Sequence, residues 1–450
     1  MTGRRTLLVK RLDKRKSFKV ITFGCQMNEH DTEKISGVLA AEGYGKAETV
    51  EDADLVLLNT CSIREKAEQK FYSELGKLRL LKEKNPALMI AVSGCIAQQE
   101  ADKVFRRASH VDLVFGNQNI KDLPFLIQKR EAGLRLSRTA FEDGYEHHGL
   151  PVDREAGITA FVNIMYGCDN FCAYCVVPYV RGREKSRRPE EVVEEITSLA
   201  AGGCEEVTLL GQNVNSYGRG LQDKCSFPEL LQRVNDVEGI ERIRFVTSHP
   251  KDLSDELVEA MASLPKVCEN IHLPMQSASD KILKAMNRKY TFGEYMEKLN
   301  KLRAAMPDIH MTTDIIVGFP GETEEDYRLT VKALENIEYD SIFSFKYSKR
   351  PNTAALKLPG HLPEEVKAER LDAVIDLQNR ITVQRNASRV GRAEEVLVEG
   401  PDRSDVPGRL TGRSRGGKIV NFAGELSLVG KLVDVRITEG KKHSLVGERV

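Results

Sequence analysis

The sequence predicts an α/β protein in three parts. They are an N-terminal parallel α/β sheet domain over residues 18–145, an open, partial (β/α)6 barrel over 155–382, and a small antiparallel β-barrel over 383–450. Three observations carry this. Apolar, β-branched runs alternate with helix-like segments along the first two parts, which implies parallel sheets. Six such units in the middle part are fewer than the eight of a closed barrel. After residue 391 the pattern changes to short strands with regular turn signals, the mark of a small β-barrel. A chain of 450 residues also exceeds one ordinary core.

In the first part, Phe18–Cys25, Ala53–Cys61 and Leu88–Cys95 each read as a buried strand that ends in a cysteine and leads into a helix. Val111–Asn117 has the same shape without the cysteine. Ligand sites in parallel sheets lie beyond the carboxyl ends of the strands. Cys25, Cys61 and Cys95, at intervals of 36 and 34 residues, are therefore expected to converge. Helices starting beside them would favour an anionic group. The plainer alternative is three unconnected buried cysteines, each a small hydrophobe.

Residues 141–158 are polar and carry Gly and Pro, so they read as a linker. The adjacent His147 and His148 in it read as solvated. Strands of the middle part are expected at Thr159–Met165, Glu206–Leu210, Ile243–Thr247, Ile271–Met275, Met311–Val317 and Asp340–Tyr347. Pro189–Ala201 is one of the helices between them, with Pro189 suited to a first turn. Pro363 to about Gly391 reads as a single helix with an apolar stripe of Val366, Leu371, Val374, Leu377 and Ile381. The last part offers short strands beginning at Glu395, Gly408, Lys418 and Leu432.

Composition is that of a globular chain, 41% apolar and 30% charged. No apolar run approaches the roughly 18–20 residues of a spanning helix. The basic start (Arg4, Arg5, Lys10, Arg11, Lys14, Arg15, Lys16, Lys19) lacks the apolar stretch and cleavage site of a signal peptide. Nine cysteines, an odd number, point to metal or redox chemistry rather than disulfides. The expected compartment is the cytoplasm. A net charge of zero means that any nucleic acid is held by local basic patches.

Cys168, Cys172 and Cys175 bring three thiolates to one loop at the end of the first barrel strand, with no fourth cysteine. A structural zinc site wants four protein ligands. Three on a tight loop suit an iron–sulfur cubane with one iron left open, a low-potential reductant tuned by burial and hydrogen bonds to sulfur. Segments at the ends of other strands offer a small-molecule site beside it: Leu210–Val214, Thr247–Pro250, Leu273–Ser279 and Ile316–Glu322. Gly211, Gly318 and Gly321 in them would permit close backbone approach. Ordinary turn chemistry accounts for any one of these segments, and less easily for all.

The loop Gly167-Cys-Asp-Asn-Phe-Cys-Ala-Tyr-Cys175 resembles that of the radical S-adenosylmethionine enzymes. There the open iron holds S-adenosylmethionine, which an electron cleaves to a 5′-deoxyadenosyl radical. The resemblance places Tyr174 near the adenine of that cofactor and Gly211 and Gln212 near its methionyl part, with Ser248, Gln276 and Gly318 as further contacts. From about residue 18 onward the chain is similar to a narrower family, the methylthiotransferases, whose last part is an RNA-binding TRAM barrel. Thr22–Asp31, Asn59–Ala67, Gly94–Gln99, Tyr166–Cys172, Pro178–Arg187 and Gly211–Gly218 carry the likeness. It is nearest to the type that modifies N6-isopentenyladenosine in tRNA; Ala278, where glycine is common, is a small departure.

The resemblance implies two [4Fe–4S] clusters, one on Cys168, Cys172 and Cys175 and an auxiliary one on Cys25, Cys61 and Cys95. It implies methylthiolation of C2 of N6-isopentenyladenosine at tRNA position 37, with two S-adenosylmethionine per turnover. A tRNA and a low-potential electron donor are the expected partners of a monomer without membrane contact. Other acceptors in the family are threonylcarbamoyl-adenosine and a ribosomal-protein aspartate. A non-catalytic iron–sulfur redox sensor and a zinc-containing RNA-binding module are alternatives of another class.

Basic residues after the cysteine loop (Arg181, Arg183, Lys185, Arg187, Arg188) are candidates for anticodon phosphates. In the last part Arg409, Arg413, Arg415 and Lys418 with Phe422 suit single-stranded or loop RNA. Cys204, Cys225 and Cys268, and His249, His272 and His310 as metal ligands, read as structural or incidental.

Overall fold

A computed structural model describes residues 15–62, 65–141, 149–154, 156–404 and 406–450. His147 and His148 lie outside the described residues, as does part of the expected linker. The chain divides into two compact units. One is Met1–Glu155 with Val176–Gly182, the other Ala156–Cys175 with Arg183–Val450.

The first unit is built on a six-stranded parallel sheet. Its strands are β1 (Ser17–Thr22), β2 (Gly45–Lys46), β3 (Leu55–Thr60), β4 (Met89–Gly94), β5 (Leu113–Phe115) and β6 (Leu136–Arg138), in the order β2-β1-β3-β4-β5-β6. Every residue of β3 is buried, as its unbroken apolar run requires of a strand covered on both faces. Alternate residues feed two cores: Val56, Leu58, Ile90 and Val92 on one face, Leu55, Leu57 and Ala91 on the other. β2 and β6 were not legible in the sequence. They are two- and three-residue edge strands, too short for a period to show.

The second unit opens with β7 (Thr159–Asn163), β8 (Met165–Tyr166) and β9 (Lys185–Ser186), followed by β10 (Glu206–Leu210), β11 (Arg242–Phe245), β12 (Asn270–His272), β13 (His310–Val317) and β14 (Ser341–Lys346). The parallel trios β7-β10-β11 and β12-β13-β14 are joined by a bridge from Ile243 to Val267, giving six parallel strands in an open barrel. Val162, Val207, Leu209, Ile243, Phe245 and Ile315 face the surrounding helices and form the main core. Their neighbours along each strand point to the concave side. Helix Glu364–Ala387 buries Val374, Leu377 and Ile381 in the same core.

The closing strands β15 (Ala393–Pro401), β16 (Arg409–Ser414), β17 (Ile419–Ala423), β18 (Leu432–Gly440) and β19 (Leu445–Arg449) form a closed barrel, β15-β16-β17-β19-β18. β19 was missed because Gly447 reads as a break. The strand needs that glycine, since a Cβ there would lie 2.5 Å from the Arg436 carbonyl oxygen.

This small barrel seals the amino-terminal mouth of the larger one. Arg242, fully buried on β11, donates to the Arg413 carbonyl at 2.7 Å and to Glu395 at 2.8 Å. Arg244 donates to the Arg415 and Ser414 carbonyls at 2.7 and 2.8 Å. Asn270 donates to the Gly416 carbonyl at 3.1 Å, and Arg415 returns a bidentate pair to Glu269. The His310 ring packs so tightly on Gly416 that a Cβ there would lie 2.2 Å from it.

Candidate active site

Cys25, Cys61 and Cys95 stand at the carboxyl ends of the adjacent strands β1, β3 and β4. Two glycines make room for them. Gly24 has φ +134° and a Cβ on it would come within 2.4 Å of the Cys61 Cβ. Gly94 has φ +92° and a Cβ would strike the Thr60 carbonyl oxygen at 2.2 Å. Both conformations are open to glycine and strained for other residues.

Charge is provided beside these thiols. A hydrogen bond with Cys61 draws the Cys25 thiol down to about 6, against burial and with help from the Arg181 guanidinium. Burial pushes the Cys95 thiol up, opposed by Arg181. Arg181 is itself buried, donating to Asp31 at 2.8 Å and to Asn28 at 3.4 Å. Burial works against its charge, but Asp31, Cys95 and Cys25 more than offset this and hold it protonated. Asn117 directs its amide at the Cys95 sulfur, 3.7 Å away.

The second cysteine loop follows β8. Cys168 and Cys172 are buried and Cys175 is half-buried. Burial pushes the Cys168 thiol up to about 11. The loop is pinned by Asn287, which donates to the Phe171 carbonyl at 2.9 Å, and by Ala173, whose amide and carbonyl bond Met286 and Ala355. Arg288 was not singled out from the sequence, where it is one cation in a short polar turn. Its buried guanidinium donates to the Cys172 sulfur and the Tyr174 hydroxyl, each at 3.4 Å, and to the Pro274 carbonyl at 2.9 Å. Burial disfavours its charge, yet Tyr174, Tyr290 and Cys172 hold it protonated.

The strand ends around this loop carry unfilled polar groups. Gln212 Oε1 beyond β10, Ser248 Oγ beyond β11 and Gln276 Oε1 beyond β12 are buried without a hydrogen-bond partner. So are Asn213 Oδ1 and His249 Nε2, which lie in the segments Leu210–Val214 and Thr247–Pro250. His249 accepts from the Lys251 amide through Nδ1, so its Nε2 carries the proton and points at nothing. Thr247 and Gln276 hold φ +69° and +68°, backbone strain of the kind that gathers at binding sites. Tyr290 ties these loops together: it bonds the Pro274 and Met275 carbonyls at 3.0 Å and packs edge-on against His249.

Buried orphan atoms cost free energy unless a ligand satisfies them. The orphaned atoms fit a polar cofactor, and Cys168, Cys172 and Cys175, like Cys25, Cys61 and Cys95, are thiols outside any disulfide that would hold a cluster. Among the described residues no three His, Cys, Asp or Glu side chains gather as a single metal ion would need.

Gly211 and Gly318 are each closely approached by a neighbouring side chain. A Cβ at Gly211 would lie 2.5 Å from Met165 Cγ, and one at Gly318 would lie 2.4 Å from Lys367 Cγ. Both glycines make room for neighbouring side chains.

The structure redistributes the proposed RNA-contacting residues. Phe422 is buried in the small barrel's core and offers no stacking face. Lys418, nearly enclosed, pairs with Asp340 at 3.4 Å and helps seal the large barrel. Arg181 serves the cysteines of the first unit. Arg187 bonds the Asn163 carbonyl and Glu195, each at 2.7 Å. Arg183 is well exposed over the Phe171 ring and pairs with Asp169 at 3.0 Å. Arg413 and Arg409 keep partly exposed side chains, paired with Glu399 and Asp402. Lys185 is half-buried on β9. Sequence shows a charge but not its partner, so it could not separate the buried pairs from the exposed residues.

The chain matches the Radical SAM superfamily over residues 162–334, the Uncharacterized protein family UPF0004 over 17–116 and the TRAM domain over 387–450. It is 50% identical over 437 residues to a tRNA-2-methylthio-N(6)-dimethylallyladenosine synthase of Clostridium novyi, covering 96% of each chain. The protein of that name from Carboxydothermus hydrogenoformans is 49% identical, over 96% of this chain and 99% of its own. Among solved structures, the radical S-adenosylmethionine methyltransferase TsrM from Kitasatospora setae superposes with a TM-score of 0.56 at 16% identity, over 76% of this chain and 75% of its own. The cobalamin-dependent S-adenosylmethionine radical enzyme OxsB gives 0.54 at 14%, over 83% and 57%. These two share the fold. With such relatives matching from end to end, the chain belongs to the radical S-adenosylmethionine methylthiotransferases, in the family of the tRNA-2-methylthio-N(6)-dimethylallyladenosine synthases.

Proposed function

We propose that this protein methylthiolates C2 of N6-isopentenyladenosine (also called N6-dimethylallyladenosine) at position 37 of tRNA, beside the anticodon. The observation that carries this is the full-length identity of 47–50% to synthases of that name. When bound, the two [4Fe–4S] clusters and S-adenosylmethionine supply a radical able to remove hydrogen from C2 and a sulfur to replace it. A radical is needed because no side-chain base has a pKa within reach of so weakly acidic a proton.

The chain's own residues bind and orient. Cys168, Cys172 and Cys175 hold one cluster, and Cys25, Cys61 and Cys95 the auxiliary one. Gln212, Ser248 and Gln276 offer their orphaned oxygens to S-adenosylmethionine, joined by Asn213 and by the Nε2 proton of His249. Tyr174 borders the same site. Arg288 fixes Cys172 and Tyr174 relative to the loop beyond β12. Arg183, Lys185, Arg409 and Arg413 remain the basic residues offered to RNA phosphates. We place the enzyme in the cytoplasm as a monomer served by a low-potential electron donor. No helix among the described residues is long and apolar enough to cross a membrane.

The test compares tRNA nucleosides from cells with and without the gene. Deletion should abolish 2-methylthio-N6-isopentenyladenosine and leave N6-isopentenyladenosine in its place. Persistence of the methylthiolated nucleoside after clean deletion would overturn the reading.

A further inference from the structure

Among the described residues, the concave side of β12–β14 keeps large apolar side chains exposed. In a parallel ladder, paired residues point the same way. His272 pairs with Thr312, Asp314 with Phe343, and Ile316 with Phe345. Their neighbours Met311, Ile315 and Val317 lie in the outer core, so this second set faces the lumen. The amino-terminal end of that lumen is sealed by the Ser414–Lys418 turn. Toward the carboxyl end, Ile316 packs against the small core that also takes in Ala173 of the cysteine loop.

Two large apolar side chains stand open there, Phe343 at 48% and Phe345 at 38% exposure. Beside them Asp314 lies 3.4 Å from His272, whose other nitrogen meets Thr312 at 2.9 Å and whose ring packs edge-on against Phe343. An aromatic pair flanking an oriented carboxylate is the complement of a flat ring with an N–H donor and an apolar substituent.

Resting on the function proposed above, we infer that this surface is the specificity pocket for the N6 side of the target adenosine. The Asp314 carboxylate accepts the N6 hydrogen. Phe343 and Phe345 cover the five-carbon dimethylallyl group and the base. The same carboxylate repels an acidic N6 substituent, because two like charges in a partly dry site are strongly disfavoured. The pocket thereby separates an isopentenyl acceptor from a threonylcarbamoyl one, which carries its own carboxylate.

The experiment measures anaerobic binding of three anticodon stem-loops to the holoenzyme. They differ only at N6, carrying dimethylallyl, hydrogen or threonylcarbamoyl, and product formation on the first is followed in parallel. Wild type should bind the dimethylallyl form best. Phe343→Ala/Phe345→Ala should lower its preference over the unmodified form by about tenfold, part of the worth of burying five carbons. Asp314→Lys should weaken the dimethylallyl form and tighten the threonylcarbamoyl form. Because these side chains are partly exposed, the variants should keep the wild-type melting curve, which checks their folding. The inference is overturned if the variants weaken all three RNAs equally, if they change none, or if the wild type binds the three without preference. Absence of product on the dimethylallyl stem-loop would instead overturn the function on which it rests.

Discussion

The Arg288 guanidinium donates to the Cys172 sulfur across 3.4 Å from a site closed to solvent. A cation bonded to a cluster thiolate stabilises the reduced, more negative state and raises its potential. Arg288→Met should make this cluster harder to reduce, by on the order of 50–100 mV, given the worth of a hydrogen bond to a charged group and 59 mV per tenfold. Arg288→Lys should recover part of the shift. Redox titration followed by electron paramagnetic resonance, in a Cys25/Cys61/Cys95 triple-alanine background, isolates the signal. An unchanged potential would reduce Arg288 to a packing residue.

The Arg181–Asp31 pair is a second buried charge interaction. Removing one member leaves the other uncompensated, which costs about 3–5 kcal/mol. Arg181→Met should therefore lower the melting temperature of the first unit sharply. Arg181→Met/Asp31→Leu should regain much of the loss, since an apolar pair of similar volume is often neutral. Arg181 was expected on an RNA-facing patch. If Arg181→Met weakened tRNA binding without changing stability, that earlier expectation would be the right one.

Gly24→Ala tests how the auxiliary site is made. Its Cβ would meet that of Cys61 at 2.4 Å, and φ +134° is poorly open to alanine. The variant should lose the auxiliary cluster while keeping the other, so iron per chain falls from about eight to about four. Retention of all eight would show that the loop yields more easily than its packing implies.

Stability should depend on pH through His310. Burial pushes its imidazole down to about 3, against the pull of Asp340. The unfolded histidine titrates near 6.5. Between those values the unfolded chain holds a proton that the native one refuses, so stability is full above pH 6.5 and falls as pH drops toward 3. The slope is at most about 1.4 kcal/mol per pH unit. Urea unfolding at several values between pH 7 and 5 should show it, and His310→Gln should flatten it. The groups facing His310 are Asp340, Lys418, Arg385 and Arg389. A slope unchanged by the substitution would assign the dependence elsewhere.

The fold was legible wherever hydrophobic period and strand length were both strong. β3, with its unbroken Leu55–Leu58 run, and β10 at Glu206–Leu210 were read to within a residue or two. The edge strands β2 and β6 were not, because two or three residues carry no period. The cysteine trios stood out because spacing and strand ends are written along the chain. Arg288 could not, because its meaning lies in a contact with Cys172, 116 residues away. Lys418 and Phe422 were misread for the converse reason. Basic and aromatic neighbours fit an RNA surface equally well when their true partners, Asp340 and the barrel core, are unseen.

The central claim is that two cysteine trios hold two separate clusters. Anaerobic iron and sulfide analysis of the wild type and of the two triple-alanine variants tests it most directly. The wild type should hold about eight irons and each variant about four, as expected of two cubanes. Colourless wild-type protein holding zinc, or eight irons surviving the loss of either trio, would contradict it.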